Sequence, residues 1–330
     1  QPNGDGLPAG ERPGGLCAGE RHWSKPGLKQ NPRHARFKQS VVRSISMLQN
    51  LHLTIAVENS ASTENASLRA EHGLSILVEL DMGSDVMKLL WDTGASGEVL
   101  LHNFRLLHID IDAIDQISLS HGHYDHTGGL MAVLQQMKKR IPVLVHPDIF
   151  SPKLKARPAL GYIGLPFIRS QAEAAGAVFL ECRGPVALAP GLFTTGEIPR
   201  LEGFEKVEGF WTIREGQYIP DIIPDDQALA AVLPGKGLAV ITGCAHSGII
   251  NTIRQAQSIT GVDELYAVIG GFHLMGAGRE RIDATARALL KLDPAVIQPG
   301  HCTGQRAVCL LQQALGERCQ PLAVGETINL

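Results

Sequence analysis

The sequence has no long apolar run and no large excess of one charge. None of its apolar stretches approaches the roughly 20 residues needed to span a bilayer. Lys and Arg number 30 against 33 Asp and Glu, so the formal net charge of −3 gives no field that would attract nucleic acid or an anionic membrane. We therefore expect a small-molecule substrate as the partner, with no nucleic acid and no membrane. The sequence does not indicate an oligomeric state.

Closely spaced cysteine pairs are also missing. The six cysteines are spread over 330 residues without a CxxC motif, which is typical of a reduced, intracellular protein and not of a small secreted scaffold. The N-terminus lacks the positively charged start and apolar core of a signal peptide. These two features predict a cytoplasmic protein.

Residues 1–46 differ in composition from the rest of the chain. Gly, Pro and charged residues are frequent there and hydrophobic periodicity is missing, so we predict disorder. The first methionine is Met47, which suggests that the natural protein begins there and that 1–46 is a non-native leader. A basic targeting arm is the alternative, because the segment holds eight Lys or Arg and three Asp or Glu. The folded domain is expected to span 47–330.

From Met47 onward, apolar runs indicate strands that later alternate with helices. Strands are predicted over 51–59, 74–81 and 86–94, and the end of the chain reads strand, helix, strand, helix and a closing strand over 321–330. Two similar halves of this kind favour an α/β fold in which two mixed sheets pack face to face, a four-layer αββα sandwich. Residues 199–224 look irregular and contain several aromatics, so they are either a substrate-selecting lid or a plain surface loop.

The run "HGHYDH" places four potential metal ligands in six positions. His121 and His123 are two residues apart and can bind one metal from one side of a loop. Asp125 and His126 follow too closely to reach the same ion easily, so they suit a second metal nearby. Imidazole and carboxylate ligands favour Zn²⁺, Mn²⁺ or Fe.

"HGHYDH" resembles the HxHxDH signature of the metallo-β-lactamase superfamily, and "WDTG" (91–94) is similar to its first motif. "TGCAHSGIINT" (242–252), "IGGFHL" (269–274) and "PGHCTG" (299–304) resemble one branch, the 7,8-dihydropterin-6-methyl-4-(β-D-ribofuranosyl)aminobenzene 5′-phosphate synthase-like metallo-hydrolases. The resemblance implies a fold of the metallo-β-lactamase type, a dinuclear metal centre and hydrolytic chemistry. It also implies that Asp92 supports the metal loop by hydrogen bonding without binding metal.

The resemblance also suggests where further ligands lie. His301 follows the last core strand, where the superfamily supplies its final histidine, and His246 in "GCAHSG" is the other predicted ligand. The chain departs from the commoner pattern because Gly243-Cys244 ends a strand that usually ends in Gly-Asp, and Asp225-Asp226 stands where a histidine is expected. Ligation by Cys244, by Asp226 or by both therefore stays open.

The predicted site contains both metal ligands and groups that act on the substrate. Asp125 is expected to orient the nucleophile, and His273 to line the pocket as a substrate-binding or acid group, with packing in the core as its alternative. The predicted metal ligands are His121, His123, Asp125, His126, His246 and His301.

Together with these residues, the resemblance implies a metal-dependent hydrolase with two divalent ions, zinc first and Mn or Fe as alternatives. A phosphoester or related small-molecule ester is the expected substrate, because the branch is named for a pterin and a ribose phosphate. Lactone hydrolysis, synthase-like condensation and iron-dependent redox chemistry on the same fold are the alternatives, and a non-catalytic binding module is a further class. Metal identity separates hydrolysis from redox chemistry, since a bound zinc ion is colourless and an iron centre is coloured.

Overall fold

The computed structural model describes residues 48–330 except positions 84, 157 and 207. The leader predicted over 1–46 and the proposed start at Met47 lie outside the described residues.

Seventeen strands and seven α-helices follow one another in the described part of the chain. The strands are β1 (Asn50–Val57), β2 (Ser75–Asp81), β3 (Val86–Trp91), β4 (Gln116–Ser118), β5 (Ile141–Val145), β6 (Leu154–Lys155), β7 (Gly161–Tyr162), β8 (Ala177–Glu181), β9 (Ala187–Ala189), β10 (Leu192–Thr194), β11 (Phe210–Arg214), β12 (Gln217–Pro220), β13 (Ala228–Leu233), β14 (Gly237–Thr242), β15 (Leu265–Gly271), β16 (Val296–Gly300) and β17 (Thr327–Asn329). The helices are α1 (Gly97–Leu106), α2 (Tyr124–Thr127), α3 (Leu130–Gln136), α4 (Arg169–Ala174), α5 (Ile249–Thr260), α6 (Arg279–Leu292) and α7 (Gln305–Leu315).

Two large mixed sheets form the centre of the fold. The first has the order β17-β1-β2-β3-β4-β5-β8, antiparallel from β17 to β3 and parallel from β3 to β8. The second has the order β16-β15-β14-β13-β10-β9, with β14, β15 and β16 parallel. In each sheet, the parallel strands all end on the same side, so the loops that follow them lie close together there.

Alternating side chains decide how the layers stack. Leu51 and Leu53 of β1 pack with Leu229 and Ile241 of the second sheet in one apolar cluster, so these sheet faces meet. On the outer face of the first sheet, a second cluster packs side chains of α1 and α3, and a third packs α5, α6 and α7 on the outer face of the second sheet. The predicted four-layer αββα sandwich is confirmed.

The prediction of an irregular segment over 199–224 is wrong for its second half. β11 and β12 form a hairpin whose register pairs Arg214 with Gln217, and together with β6 and β7 they make a small four-stranded sheet. Trp211 stacks on Tyr218 with ring centroids 4.5 Å apart. Glu215 and Gly216 both have positive φ, as a two-residue hairpin turn requires. These strands are short and half exposed, so apolar side chains alternate too weakly to reveal them.

Helix α5 follows the "GCAHSG" motif directly and is absent from the sequence prediction. Its apolar side chains Ile249, Ile253 and Ala256 are buried against the second sheet. Within the described ranges, no helix combines the length and the apolarity that crossing a membrane would require.

Candidate metal centre

The predicted ligands all lie in loops that leave strand ends at the same edge of the two sheets. The first sheet supplies Asp92 after β3 and the histidine loop 121–126 after β4. The second sheet supplies Cys244 and His246 after β14, His273 after β15 and His301 after β16. The structure therefore brings together side chains that are up to 209 positions apart in the sequence, from Asp92 to His301.

His121, His123 and His246 form one ligand group. Nε2 of His121 lies 2.9 Å from Nδ1 of His123 and 3.2 Å from Nε2 of His246. Nitrogens bound to one tetrahedral zinc at about 2.0–2.1 Å are about 3.3 Å apart, so these spacings are close to those of a three-histidine site. Burial lowers the pKa of His123 to about 3 and holds the pKa values of His121 and His246 well below the ordinary value. All three rings are therefore neutral at pH 7 and keep a lone pair for a metal.

His126, His301, Asp125 and Cys244 form a second group beside the first. Nε2 of His126 lies 3.1 Å from both Nε2 of His301 and Sγ of Cys244. Asp125 Oδ2 lies 3.4 Å from Nε2 of His301 and 4.0 Å from Nε2 of His126. Burial raises the pKa of Asp125, but His126, His301 and His72 outweigh it and hold this pKa well below its usual range. Asp125 is thus an anionic ligand candidate.

A hydrogen-bond chain behind the histidines fixes which ring nitrogens carry protons. Asp92 Oδ2 accepts from the Ser120 hydroxyl and from Nδ1 of His126, both at 2.7 Å. Because the Ser120 hydroxyl proton is used for Asp92, its oxygen accepts from Nδ1 of His121 at 2.9 Å. His121 and His126 are therefore protonated on Nδ1, and the Nε2 lone pairs face the interior of the site.

The same reasoning applies to His301, and the arrangement of its ring with that of His126 favours a cation between them. Nδ1 of His301 donates to Asn59 Oδ1 at 3.0 Å, so its Nε2 lone pair faces that of His126 at 3.1 Å. Burial lowers the pKa of His126, yet Asp92 and Asp125 raise it to about 9, so in the absence of a metal a proton on Nε2 takes the place that a metal ion would occupy. A divalent ion in each group would satisfy the facing lone pairs, and the donor set fits zinc, manganese or iron.

Asp225 and Asp226 support the site from outside the two ligand groups. Asp225 Oδ2 accepts from the backbone N–H of Gly122 at 2.7 Å, and its Oδ1 lies 2.5 Å from Nζ of the fully buried Lys153. Asp226 Oδ2 accepts from the N–H of Ser247 at 2.7 Å. Within the described residues, the potential metal-binding groups include Cys244 and leave out both aspartates.

His273 and His72 flank the two ligand groups. The His273 ring lies 4.2 Å from that of His246, centroid to centroid, and its Nδ1 is buried with no partner in the described part of the chain. Nε2 of His72 lies 3.2 Å from Asp125 Oδ2. Phe210 of the small sheet stacks on His123 with centroids 5.2 Å apart and so covers the first ligand group. The catalytic roles of Asp125 and His273 stay predictions.

Sequence reasoning missed the residues that hold these loops in place. Ser120 and Asn59 direct ring protons, as described above, and the buried Glu58 accepts the N–H of His301 at 2.5 Å. Ser120 lies next to a predicted ligand, which is a usable signal. Asn59 and Glu58 follow β1 and carry no motif that would connect them with His301.

Comparison with known proteins agrees with this geometry. A family model described as the metallo-β-lactamase superfamily matches residues 69–254. A 7,8-dihydropterin-6-methyl-4-(β-D-ribofuranosyl)-aminobenzene-5′-phosphate synthase of Methanocaldococcus jannaschii is 35% identical over 295 residues, 88% of this chain and 100% of the relative. An uncharacterized protein of the same organism is 32% identical over 79% of this chain and 94% of its own length.

Solved structures include a close match in fold. The crystal structure of a metal-dependent hydrolase of the β-lactamase superfamily matches with a TM-score of 0.70 and 26% identity, covering 84% of this chain and 98% of that one. The match extends well beyond the histidine loop and therefore includes both halves of the sandwich.

Proposed function

Because the chain belongs to the metallo-β-lactamase superfamily, we propose that it is a hydrolase whose two adjoining ligand groups hold two divalent cations. The observation that carries the proposal is the pair of Nε2 atoms of His126 and His301, which face each other at 3.1 Å in a buried site. Zinc is the proposed metal, with manganese or iron as alternatives. The proposed ligands are His121, His123 and His246 at one position and Asp125, His126, His301 and Cys244 at the other.

Two cations held there would lower the pKa of water from about 15.7 to near 7 and so supply hydroxide at neutral pH. The protein residues orient the reacting groups. Asp125 accepts hydrogen bonds from His72 and lies at the border of the second ligand group, where its carboxylate can orient the nucleophile. His273, at the rim of the first group, can bind the substrate or donate a proton to a leaving group.

A phosphoester or related small-molecule ester is the proposed substrate. The M. jannaschii relative is named for a phosphate-bearing product, and its sequence aligns over 88% of this chain. Phe210 covers His123 from the small sheet and lies 5.1 Å from the ring of His246, so this aromatic is placed to contact a substrate at the first ligand group. We propose a cytoplasmic location for the enzyme.

The name of that relative favours a second candidate function. A synthase-like condensation that forms a bond to a ribose phosphate would use the same metal centre to stabilise a phosphate leaving group. It differs from hydrolysis in that an organic nucleophile replaces water.

Metal content and turnover of the same preparation test the proposal. Protein purified without chelator should contain about two zinc or manganese ions per chain and hydrolyse a chromogenic phosphodiester or a lactone. A His121→Ala/His123→Ala variant should lose metal and turnover together. His102→Ala is the matched control, because Nε2 of this histidine donates to the backbone oxygen of Ser67 and the residue lies outside both ligand groups.

Each alternative gives a different result. A coloured iron centre without hydrolysis would move the protein to the redox class. Zinc-bound protein that condenses an amine with a ribose phosphate, but does not hydrolyse esters, would favour the synthase. Protein that binds no metal would contradict the assignment of the whole site.

A further inference from the structure

A cavity of about 540 Å³ opens beside the candidate metal centre, and His273 belongs to both. Its walls come from the segment that carries Phe204 and Lys206, from the loop after β15 and from the first turns of α6. The volume is within the range of small-molecule sites. Because a ring nitrogen of His273 lies within 4.8 Å of ligand atoms of His246 and Cys244, a ligand in this cavity can reach the metal centre with one end.

Cationic groups outnumber acidic ones in this cavity. Lys206, Arg281 and Arg287 line it, against Glu208 and Glu280. Lys206 and Arg287 are exposed and form no ion pair with the described residues. The N-terminus of the 14-residue helix α6 also faces the cavity, and its N-cap Gly278 has no side chain to accept from the first N–H groups. The helix terminus adds partial positive charge to the same wall.

Arg281 is the most buried of the three cationic side chains that line this cavity. Its Nη1 donates to the backbone oxygen of Lys206 at 2.9 Å, whereas its Nε is buried without a partner among the described residues. The nearby Glu205 carboxylate already accepts the N–H groups of Ile250 and Asn251 at the start of α5, both at 2.9 Å. Burial lowers the pKa of Arg281, which means that the guanidinium is partly withdrawn from water. A bound anion would compensate for that lost hydration.

The backbone leaves space for a ligand at this wall. A Cβ added at Gly276 or Gly278 would meet no atom of another residue within 4 Å, so both positions border open space. Gly276 has a φ of +78°, which turns the loop after β15 into the first turn of α6. The two glycines therefore leave this part of the cavity wall free of side-chain atoms.

We propose that this cavity binds a phosphate group that the substrate keeps while a neighbouring ester bond is cleaved at the metal centre. Arg281 and Arg287 bind the phosphate oxygens, and Lys206 and the start of α6 add to the positive field. The phosphate fixes the substrate with its reactive bond next to His273. This inference rests on the proposed function for the reaction, although binding of the phosphate can be measured without turnover.

Binding of two matched nucleotides tests the site directly. Thymidine 3′,5′-bisphosphate and thymidine 5′-phosphate differ by one phosphate group and are titrated calorimetrically into the zinc-loaded protein. The bisphosphate should bind about tenfold more tightly or better, as expected for charge-assisted hydrogen bonds to arginine. Arg281→Gln and Arg287→Gln should each reduce this ratio severalfold. Arg279→Gln is the control, because Arg279 pairs with Asp283 and does not line the cavity.

The p-nitrophenyl esters of the same two nucleotides separate this inference from the proposed function. Equal binding of both nucleotides by the wild type, or a preference that survives both arginine variants, would overturn the phosphate site even if both esters are hydrolysed. A preference that depends on the arginines, in a protein that hydrolyses neither ester, would support the site and contradict the hydrolase. If Arg281→Gln does not fold, the exposed Arg287 decides the outcome.

Discussion

Replacing Asp92 with asparagine tests the hydrogen-bond chain that sets the metal-binding nitrogens. The Asp92 backbone has a φ of 59°, which asparagine tolerates better than most residues, so the substitution is conservative for the main chain. In the wild type, Oδ1 accepts from the N–H of Ser120, and Oδ2 accepts from the Ser120 hydroxyl and from Nδ1 of His126, each at 2.7 Å. Both oxygens of this carboxylate act as acceptors, whereas in asparagine one of them is replaced by an NH₂ group that can only donate.

Both orientations of the new amide are unfavourable. If Nδ2 of the asparagine takes the place of Oδ2, it donates to the Ser120 hydroxyl and to Nδ1 of His126. The Ser120 hydroxyl then donates to Nδ1 of His121. The protons of both histidines therefore shift from Nδ1 to Nε2. If the amide is reversed, its NH₂ group faces the N–H of Ser120 in a buried site, at a cost of about 1–3 kcal/mol. Mutation of a residue that hydrogen-bonds a metal-bound histidine typically lowers metal affinity by about 10–100-fold, or roughly 1.4–2.7 kcal/mol. We expect a loss of zinc affinity in this range.

Zinc affinity is measured by competition with a chromogenic chelator, and the free energy of unfolding by urea denaturation. Ser75→Ala is the matched control, because the Ser75 hydroxyl donates to the backbone oxygen of Asp92 at 2.8 Å and does not touch its carboxylate. This control should lose about 1 kcal/mol of stability and keep its zinc affinity. If Asp92→Asn binds zinc as tightly as the wild type, the proton assignment is wrong.

Three further perturbations address single contacts. Cys244→Ser should remove the sulfur-to-metal charge-transfer absorption of cobalt-substituted protein, and an unchanged spectrum would exclude Cys244 as a ligand. Lys153→Met leaves three acidic partners without their buried cation, so the free energy of unfolding measured with urea should fall by about 3–5 kcal/mol. Lys155→Met, at an exposed neighbouring residue, should have a much smaller effect, and equal losses in the two variants would refute this reasoning. Burial raises the pKa of Cys319 from 9.0 to about 11. As the pH rises, the thiol ionises at a lower pH in the unfolded chain than in the folded protein. The free energy of unfolding should therefore fall between pH 9 and 11 by up to about 2.7 kcal/mol, and this contribution should be missing in Cys319→Ala.

The histidine loop could be predicted because its ligands are adjacent in sequence. Four candidate ligands in six positions indicate a metal site without any knowledge of the fold, and the structure places all four in two adjoining groups. His246 and His301 could be added because both follow strands that end at one edge of a sheet. The choice between Cys244 and Asp226 could not be made, since it depends on how the chain turns after β14. Ala245 has a φ of 56° there, and the turn carries Cys244 into the site.

The supporting contacts lie beyond sequence reasoning because they join common residues over long separations. Glu58 binds the N–H of His301 across 243 positions, and Asp225 binds that of Gly122 across 103. Glutamate and aspartate at strand ends are frequent in any protein, so neither has a local signal. Phe210 is one of the aromatics in the segment 199–224, and its place on a strand over His123 depends on pairing between β11 and β6, which the sequence does not show.

The structure holds the ligand loops by contacts that do not use the nitrogens facing the metal site. Asp92, His273 and His301 all have positive φ, a conformation that costs a non-glycine residue about 1 kcal/mol or more. At His301, the backbone bond to Glu58 and the ring bond to Asn59 offset this cost from outside the site. The loop that carries His121 is fixed in the same way by Ser120 and by Asp225, which binds the N–H of Gly122. The sandwich therefore positions the ligands through its own hydrogen bonds.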